Sequence, residues 1–227
     1  MIGTIVNTAA ILTGSVVGSI FKKGIKDQYQ GALFTAMGLA ATGLGINTVV
    51  QNMPKSSAPV LFIISLAAGS LIGTMLDLEG RFQKLTSRWS FGKLGEGLST
   101  GILLFCIGTL SILGPVQSAL YGDSTYLFTN AALDLVTSAV LASTYGIGIA
   151  LAAPVLFLWQ GSIYGLTMLL GDFLTGDMMT EISILGGFLI ASSGLSILNI
   201  KNCKTLNMLP SLAVPAVWFF ICSFFRA

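Results

Sequence analysis

The residue best placed to do chemistry is Asp134. It stands inside a long apolar stretch, Thr125 to Ser143, whereas the other eight carboxylates (Asp27, Asp77, Glu79, Glu96, Asp123, Asp172, Asp177 and Glu181) fall in predicted loops or near predicted helix ends. An ionised Asp at the middle of a membrane helix costs about 2.5–3.5 kcal/mol even on the lenient insertion scale, so such a residue is expected to face a bundle interior or a wet cavity. Its neighbours fit that expectation. Asn130, Asp134, Thr137 and Leu141 recur at helical spacing, with Ser138 beside them, and draw one polar stripe along the segment. A carboxylate in such a stripe can hold a solute or a cation, or carry a proton. The competing reading is a protonated or hydrogen-bonded Asp that ties helices together.

Other polar groups could complete a site around it. Asn7 lies in the first apolar block and Gln160 in the sixth, while Asn47 and Asn207 sit near predicted helix ends. Asn and Gln in membrane bundles bond helices to one another, and the same groups can coordinate a solute. Pro115, Pro154, Pro210 and Pro215 can interrupt helices, and an interrupted helix frees backbone groups that bind ions when they face a cavity. Enzyme chemistry lacks its parts. The chain has no histidine, which removes His-based triads, proton relays and metal sites. Cys106, Cys203 and Cys222 are odd in number and show no CxxC spacing, so neither a disulfide framework nor a zinc site is indicated. No P-loop and no dinucleotide-binding fingerprint occurs, and a single deep acid cannot form an aspartyl-protease dyad. The reading implies no enzyme activity, no cofactor and no metal.

The elements that must hold these residues are membrane helices. Apolar residues make up 54% of the 227-residue chain and charged residues only 9%, with a mean hydropathy of +0.87. A soluble domain carries about 25% charged residues. The apolar residues come in blocks of roughly 20, the length of helix that crosses about 30 Å of hydrocarbon. Eight blocks can be marked, roughly Ile2 to Phe21, Gly31 to Val50, Ala58 to Leu76, Leu98 to Leu120, Thr125 to Ser143, Gly146 to Leu170, Ile182 to Ile200 and Leu206 to Phe225. The fifth and sixth are nearly continuous, and Thr144-Tyr145-Gly146-Ile147-Gly148 supplies the turn between them. The expected fold class is all-α, a transmembrane bundle of about eight spans forming one integral membrane domain over residues 1–227. Met1 to Thr4 carries no positive charge typical of a signal peptide, so the first block is expected to stay in the protein.

Basic residues orient the bundle. Lys22, Lys23 and Lys26 lie in the first loop, Arg81, Lys84, Arg88 and Lys93 in the third, and Lys201 and Lys204 in the seventh. With eight spans these loops share a side and hold nine of the eleven basic residues, leaving Lys55 and Arg226. The positive-inside rule then places both termini outside the cytoplasm. No basic run is dense enough for nucleic acid. Trp89, Trp159 and Trp218 suit interface anchors or helix contacts. Small residues mark close helix contacts: Gly14 with Gly18, Gly69 with Gly73, Gly161 with Gly165, and a stripe of Gly31, Thr35, Gly38, Thr42 and Gly45. Two weak internal matches relate spans one to three to spans six to eight. Gly43-Leu44-Gly45-Ile46 resembles Gly194-Leu195-Ser196-Ile197, and Gly14 to Gly18 resembles Gly161 to Gly165. Units of three spans would be inverted in the membrane, as in many secondary transporters. A competing register pairs Asn7 with Asn130 and gives parallel four-span halves.

Several segments carry a family resemblance. They are Gly3 to Gly18, Phe105 to Leu113 with Gly114, Leu133-Asp134 after Tyr121-Gly122-Asp123, Gln160-Gly161, Gly186-Gly187 and Asn207-Met208-Leu209-Pro210. Over essentially its full length the chain resembles the uncharacterised bacterial membrane proteins grouped as domain of unknown function 554. That resemblance implies an inner-membrane protein, often suggested to be a transporter, with no established substrate. Where the family pattern has Glu and Lys, this chain has Thr74 and Asn130, whereas Asp134 matches. The two departures together hint at an ion pair that this chain dispenses with. The expected function is secondary transport of a small polar or ionic solute across a bacterial inner membrane, with Asp134, Asn130, Asn7, Gln160 and Thr137 at the site. The alternative is a non-transporting membrane scaffold or regulatory partner in which Asp134 is structural. The lipid bilayer and the solute are the expected partners.

Overall fold

The computed structural model of the protein describes residues 1–20, 25–87, 101–102, 104–106, 108–171 and 176–226. Lys22, Lys23, Arg88, Trp89, Lys93, Glu96 and Asp172, and the opening of the block that starts at Leu98, lie outside the described residues. Every regular element among the described residues is helical. In chain order these are α1 (Ile2–Ile20), α2 (Asp27–Asn52), α3 (Leu61–Met75), α4 (Leu78–Ser87), α5 (Thr109–Tyr121), α6 (Thr125–Tyr145), α7 (Ala152–Leu169), α8 (Gly176–Ile197), α9 (Thr205–Met208) and α10 (Ala213–Arg226). The protein is a polytopic helical membrane protein. Six helical stretches among the described residues have the length and apolarity to cross a bilayer: Ile2–Ile20, Asp27–Lys55, Thr125–Tyr145, Ile147–Leu169, Gly176–Ile197 and Thr205–Cys222. The third block yields the shorter apolar helix α3, and the fourth yields α5 after helical residues at 101–102 and 104–106.

Local sequence sets the breaks. α6 stops where Gly146 takes φ 80°, a backbone region that penalises a Cβ, and its N–H caps the helix on the Ala142 carbonyl at 2.9 Å. A short 3-10 turn, Ile147–Leu151, then leads into α7. The breakers expected between the fifth and sixth blocks thus act where the sequence places them. α5 ends at Gly122, with φ 69°. Asp123 Oδ1 then accepts the Thr125 N–H at 2.9 Å and its hydroxyl at 2.6 Å, which starts α6.

The chain forms two compact units. The first comprises residues 1–34 and 81–171. In it α1 packs along α6, and α5 packs on both α6 and α7. Gly3 lies against Leu127, Gly14 against Leu135 and Ser138, and Gly18 against Ala139. Those contacts advance in the same direction along both chains, so α1 and α6 run parallel. Gly101 against Ala152 and Ser111 against Gln160 advance likewise, so the fourth block runs parallel to α7. An apolar core of Ile11, Ile102, Phe105, Ile149 and Leu156 fills this unit.

The second unit comprises residues 35–80 and 172–227. Gly38 meets Gly194 and Leu198, and Gly45 meets Gly187 and Ala191, so α2 and α8 run antiparallel. Gly69 meets Ser211 and Gly73 meets Asn207, so α3 runs antiparallel to the broken stretch of α9 and the 3-10 turn Leu209–Leu212. Phe62 and Phe188 stack with ring centroids 5.1 Å apart. The glycine expectations need one correction. Gly161 and Gly165 carry no close helix contact, since a Cβ on Gly161 would meet only the end of Met1 at 4.0 Å and one on Gly165 nothing within 4 Å. Gly31 also faces open space, so the working stripe of α2 runs from Gly38 to Gly45.

Candidate functional site

The polar stripe of α6 turns inward in the first unit. Asn130, Asp134 and Ser138 are buried, while Thr137 is half-buried, so the wholly enclosed position one turn beyond Asp134 belongs to Ser138. The Ser138 hydroxyl returns to the Leu135 carbonyl of its own helix at 3.0 Å. Asn130 Nδ2 donates to Asp134 Oδ2 at 2.9 Å, a pairing that the i, i+4 spacing makes possible on one helix face. This bond lies within α6 and joins no second helix.

The second helix of the site is α1. Asn7 is fully buried and its amide faces the Asp134 carboxyl. Neither its Nδ2 nor its Oδ1 meets a partner in good hydrogen-bond geometry. The hydroxyls of Thr4 and Ser15, on the same helix, are also buried without partners. Glycines explain how α1 comes so near. At Gly14 and Gly18 any side chain would collide with the backbone oxygens of Leu135 and Ala139, so two glycines one turn apart seat α1 directly on α6.

Gln160 occupies a different spot in the same unit. Its Nε2 donates to the Ser111 hydroxyl of α5 at 3.0 Å, which ties α7 to α5, while its Oε1 is buried without a partner. Of the five residues singled out in the sequence, the structure brings Asn7, Asn130 and Asp134 together, puts Gln160 with Ser111, and leaves Thr137 half-buried on the rim of the stripe. Thr74 is exposed on α3.

Asp134 is not the sole buried acid. Glu181, expected near a helix end, sits in the second turn of α8 and is fully buried in the second unit. A signal was present: Glu181 directly precedes the apolar run that opens at Ile182, so the helix can enclose it before it reaches the surface. Among the described residues no group of three His, Cys, Asp or Glu side chains could hold a metal ion.

Comparison with known proteins places the chain. The family model described as protein of unknown function (DUF554) matches residues 2–220. The chain belongs to this family. It is 59% identical over 221 residues to the uncharacterised membrane protein YdfK of Bacillus subtilis (strain 168), covering 97% of this chain and 96% of that one. It is 27% identical over 235 residues to the uncharacterised protein YqgA of Escherichia coli (strain K12), covering 96% and 97%. No solved structure matches it. The DUF554 assignment agrees with a polytopic membrane protein and names no substrate.

Proposed function

We propose that this DUF554 protein is a secondary transporter that moves a small polar or ionic solute across the bacterial inner membrane, with Asp134 binding the solute or its coupling ion. The observation that carries this reading is the convergence of three buried polar side chains, Asp134 and Asn130 on α6 and Asn7 on α1, with the Asn7 amide facing the carboxyl outside good hydrogen-bond geometry. A buried polar group with no good partner costs up to about 1–3 kcal/mol. A bound solute that meets the Asn7 amide and the carboxylate together offsets that cost. Asn130 holds the carboxylate from its own helix and leaves the side toward α1 for the guest. Both termini lie outside the cytoplasm in this reading.

A second reading, a non-transporting scaffold, draws support from Gln160, whose bond to Ser111 is a plain helix tie. The two readings part on Asp134→Asn. The test reconstitutes purified protein in proteoliposomes and screens polar and ionic solutes under an imposed gradient. Transport by the parent chain should fall on the order of tenfold or more in Asp134→Asn, since a hydrogen bond to a charged group contributes about 1.5–3 kcal/mol. Full activity in a normally inserted Asp134→Asn would move the transport site elsewhere and leave Asp134 as helix glue.

A further inference from the structure

Beyond Leu127 the first unit carries a polar layer. Leu127 is fully buried, wedged between Gly3 of α1 and Gly114 of α5. α1 runs parallel to α6 and α5 runs antiparallel to it. One turn inward from these contacts therefore stand Asn7 on α1, Asn130 on α6 and Ser111 on α5. Ser111 brings Gln160 of α7 with it through their 3.0 Å bond. Asp134 follows one turn further along α6, joined to the layer by Asn130 at 2.9 Å. Four helices thus give buried polar side chains at one depth. The layer is rich in oxygen and poor in free donors. The Asn130 and Gln160 amide nitrogens are taken up by Asp134 and Ser111. Gln160 Oε1 and the Thr4 hydroxyl, one turn before Asn7, are buried with no partner, and the Asn7 amide faces the carboxyl outside good hydrogen-bond geometry. No basic side chain stands against Asp134: among the described residues of this unit Lys26, Arg81 and Lys84 are all exposed, as are the other acids, Asp27 and Asp123.

We propose that this layer binds one alkali-metal cation, sodium or potassium, on the Asp134 carboxylate, with the Asn7 and Gln160 amide oxygens as neutral ligands. The inference rests on the transport reading, which makes Asp134 the site, and it names the ion of that site. Charge selects a cation, because an anion would meet a carboxylate and oxygens that have no proton to offer it. Charge also selects a monovalent one. One carboxylate balances one positive charge, and a divalent ion would leave an excess buried in the layer. Among the described residues no group of three His, Cys, Asp or Glu side chains could hold such an ion. Carboxylate and amide oxygens are hard ligands that suit alkali ions, and the chain has no histidine to favour a transition metal. Gln160 then has two tasks, its nitrogen tying α7 to α5 and its oxygen serving the ion.

Equilibrium binding to the full chain in lipid nanodiscs tests this, with radioactive sodium as one probe and radioactive rubidium, standing in for potassium, as the other. The parent chain should bind one of these ions saturably. Unlabelled alkali chloride should displace it, choline chloride at equal ionic strength should not, and exchanging chloride for gluconate should change nothing. Affinity should fall about tenfold or more in Asp134→Asn, which keeps the size and removes the charge. It should fall several-fold in Gln160→Leu, and an unchanged affinity there would overturn the role given to Gln160. Absence of saturable binding of either ion to the folded parent chain would overturn the proposal, and so would displacement by calcium at lower concentration than by the alkali ions. These two readings come from the parent chain and hold even if a variant fails to fold. Solute uptake separates the two levels of inference. Uptake that depends on Asp134 with no alkali ion bound would sink the cation and leave the transporter, whereas saturable binding without uptake of any solute would do the reverse.

Discussion

Asn7 and Asp134 face one another with opposite hydrogen-bonding economies. Asp134 accepts from Asn130 on its own helix, while Asn7 faces it from α1 outside good hydrogen-bond geometry. Gln160 by contrast bonds the Ser111 hydroxyl at 3.0 Å. Replacing Asn7 by leucine keeps the number of side-chain heavy atoms and removes a poorly paired buried amide, so the unfolding midpoint should change little. Solute transport in the same variant should drop about tenfold or more. Thermal unfolding and proteoliposome uptake, measured side by side, check both halves, and a stability loss with full transport would make Asn7 structural. The sequence could reveal Asn7 and Asp134 because polar residues inside apolar blocks are conspicuous. It could not rank Thr137 against Ser138, since both lie about one turn beyond Asp134 and only the tilt of α6 against α1 decides which is enclosed. It also misjudged Glu181, because proximity to a helix end says nothing about which turn of the chain covers that end.

Glycine spacing poses a similar problem at the level of helices. Three GxxxG pairs look alike in the sequence, yet only two meet another backbone. The motif permits close approach, and a facing partner must supply it. Gly18 has such a partner in the Ala139 carbonyl, a backbone atom that cannot swing aside, whereas Gly165 has open space around it. Gly18→Ala should therefore destabilise the protein by roughly 1–3 kcal/mol, the usual cost of overpacking a tight contact. Gly165→Ala should change stability by less than about 0.5 kcal/mol or raise it slightly, since alanine is the better helix former. Denaturation of the two variants in mixed micelles separates them, and equal losses would mean that α1 does not ride on α6. The helices themselves were legible, because block lengths and the Gly146 break follow from composition and backbone freedom. The short regular lengths of α3 and α5 were not, since apolar runs do not show where a helix yields to turns.

At the scale of the chain, helix direction constrains how the blocks cross. Within the first unit α1 and α6 run parallel, and within the second α2 and α8 run antiparallel. A chain that crosses at each apolar block reaches its fifth block in the direction of its first and its seventh opposite to its second. The membership of the units has the same logic. The first holds blocks one, four, five and six and the second blocks two, three, seven and eight, so the block pairs expected of an inverted repeat, one with six, two with seven and three with eight, each fall within one unit. The parallel register would instead split blocks two and six, and four and eight, between the units. The fourth block is the one to test, because its longest continuous helix among the described residues, α5, has 13 residues, about 20 Å at 1.5 Å per residue. If the fourth block failed to cross, Lys55 and Cys203 would share a side. With all eight blocks crossing, five separate them and they lie on opposite faces. Cys203 is a natural reporter, half-buried in the loop after α8, and Cys106 and Cys222 can be replaced by serine. An impermeant maleimide applied to spheroplasts should label Lys55→Cys and spare Cys203, which should react only after permeabilisation. Labelling of both from outside would remove one crossing from the chain. Labelling of Cys203 alone would keep eight crossings and reverse the orientation that the basic residues imply.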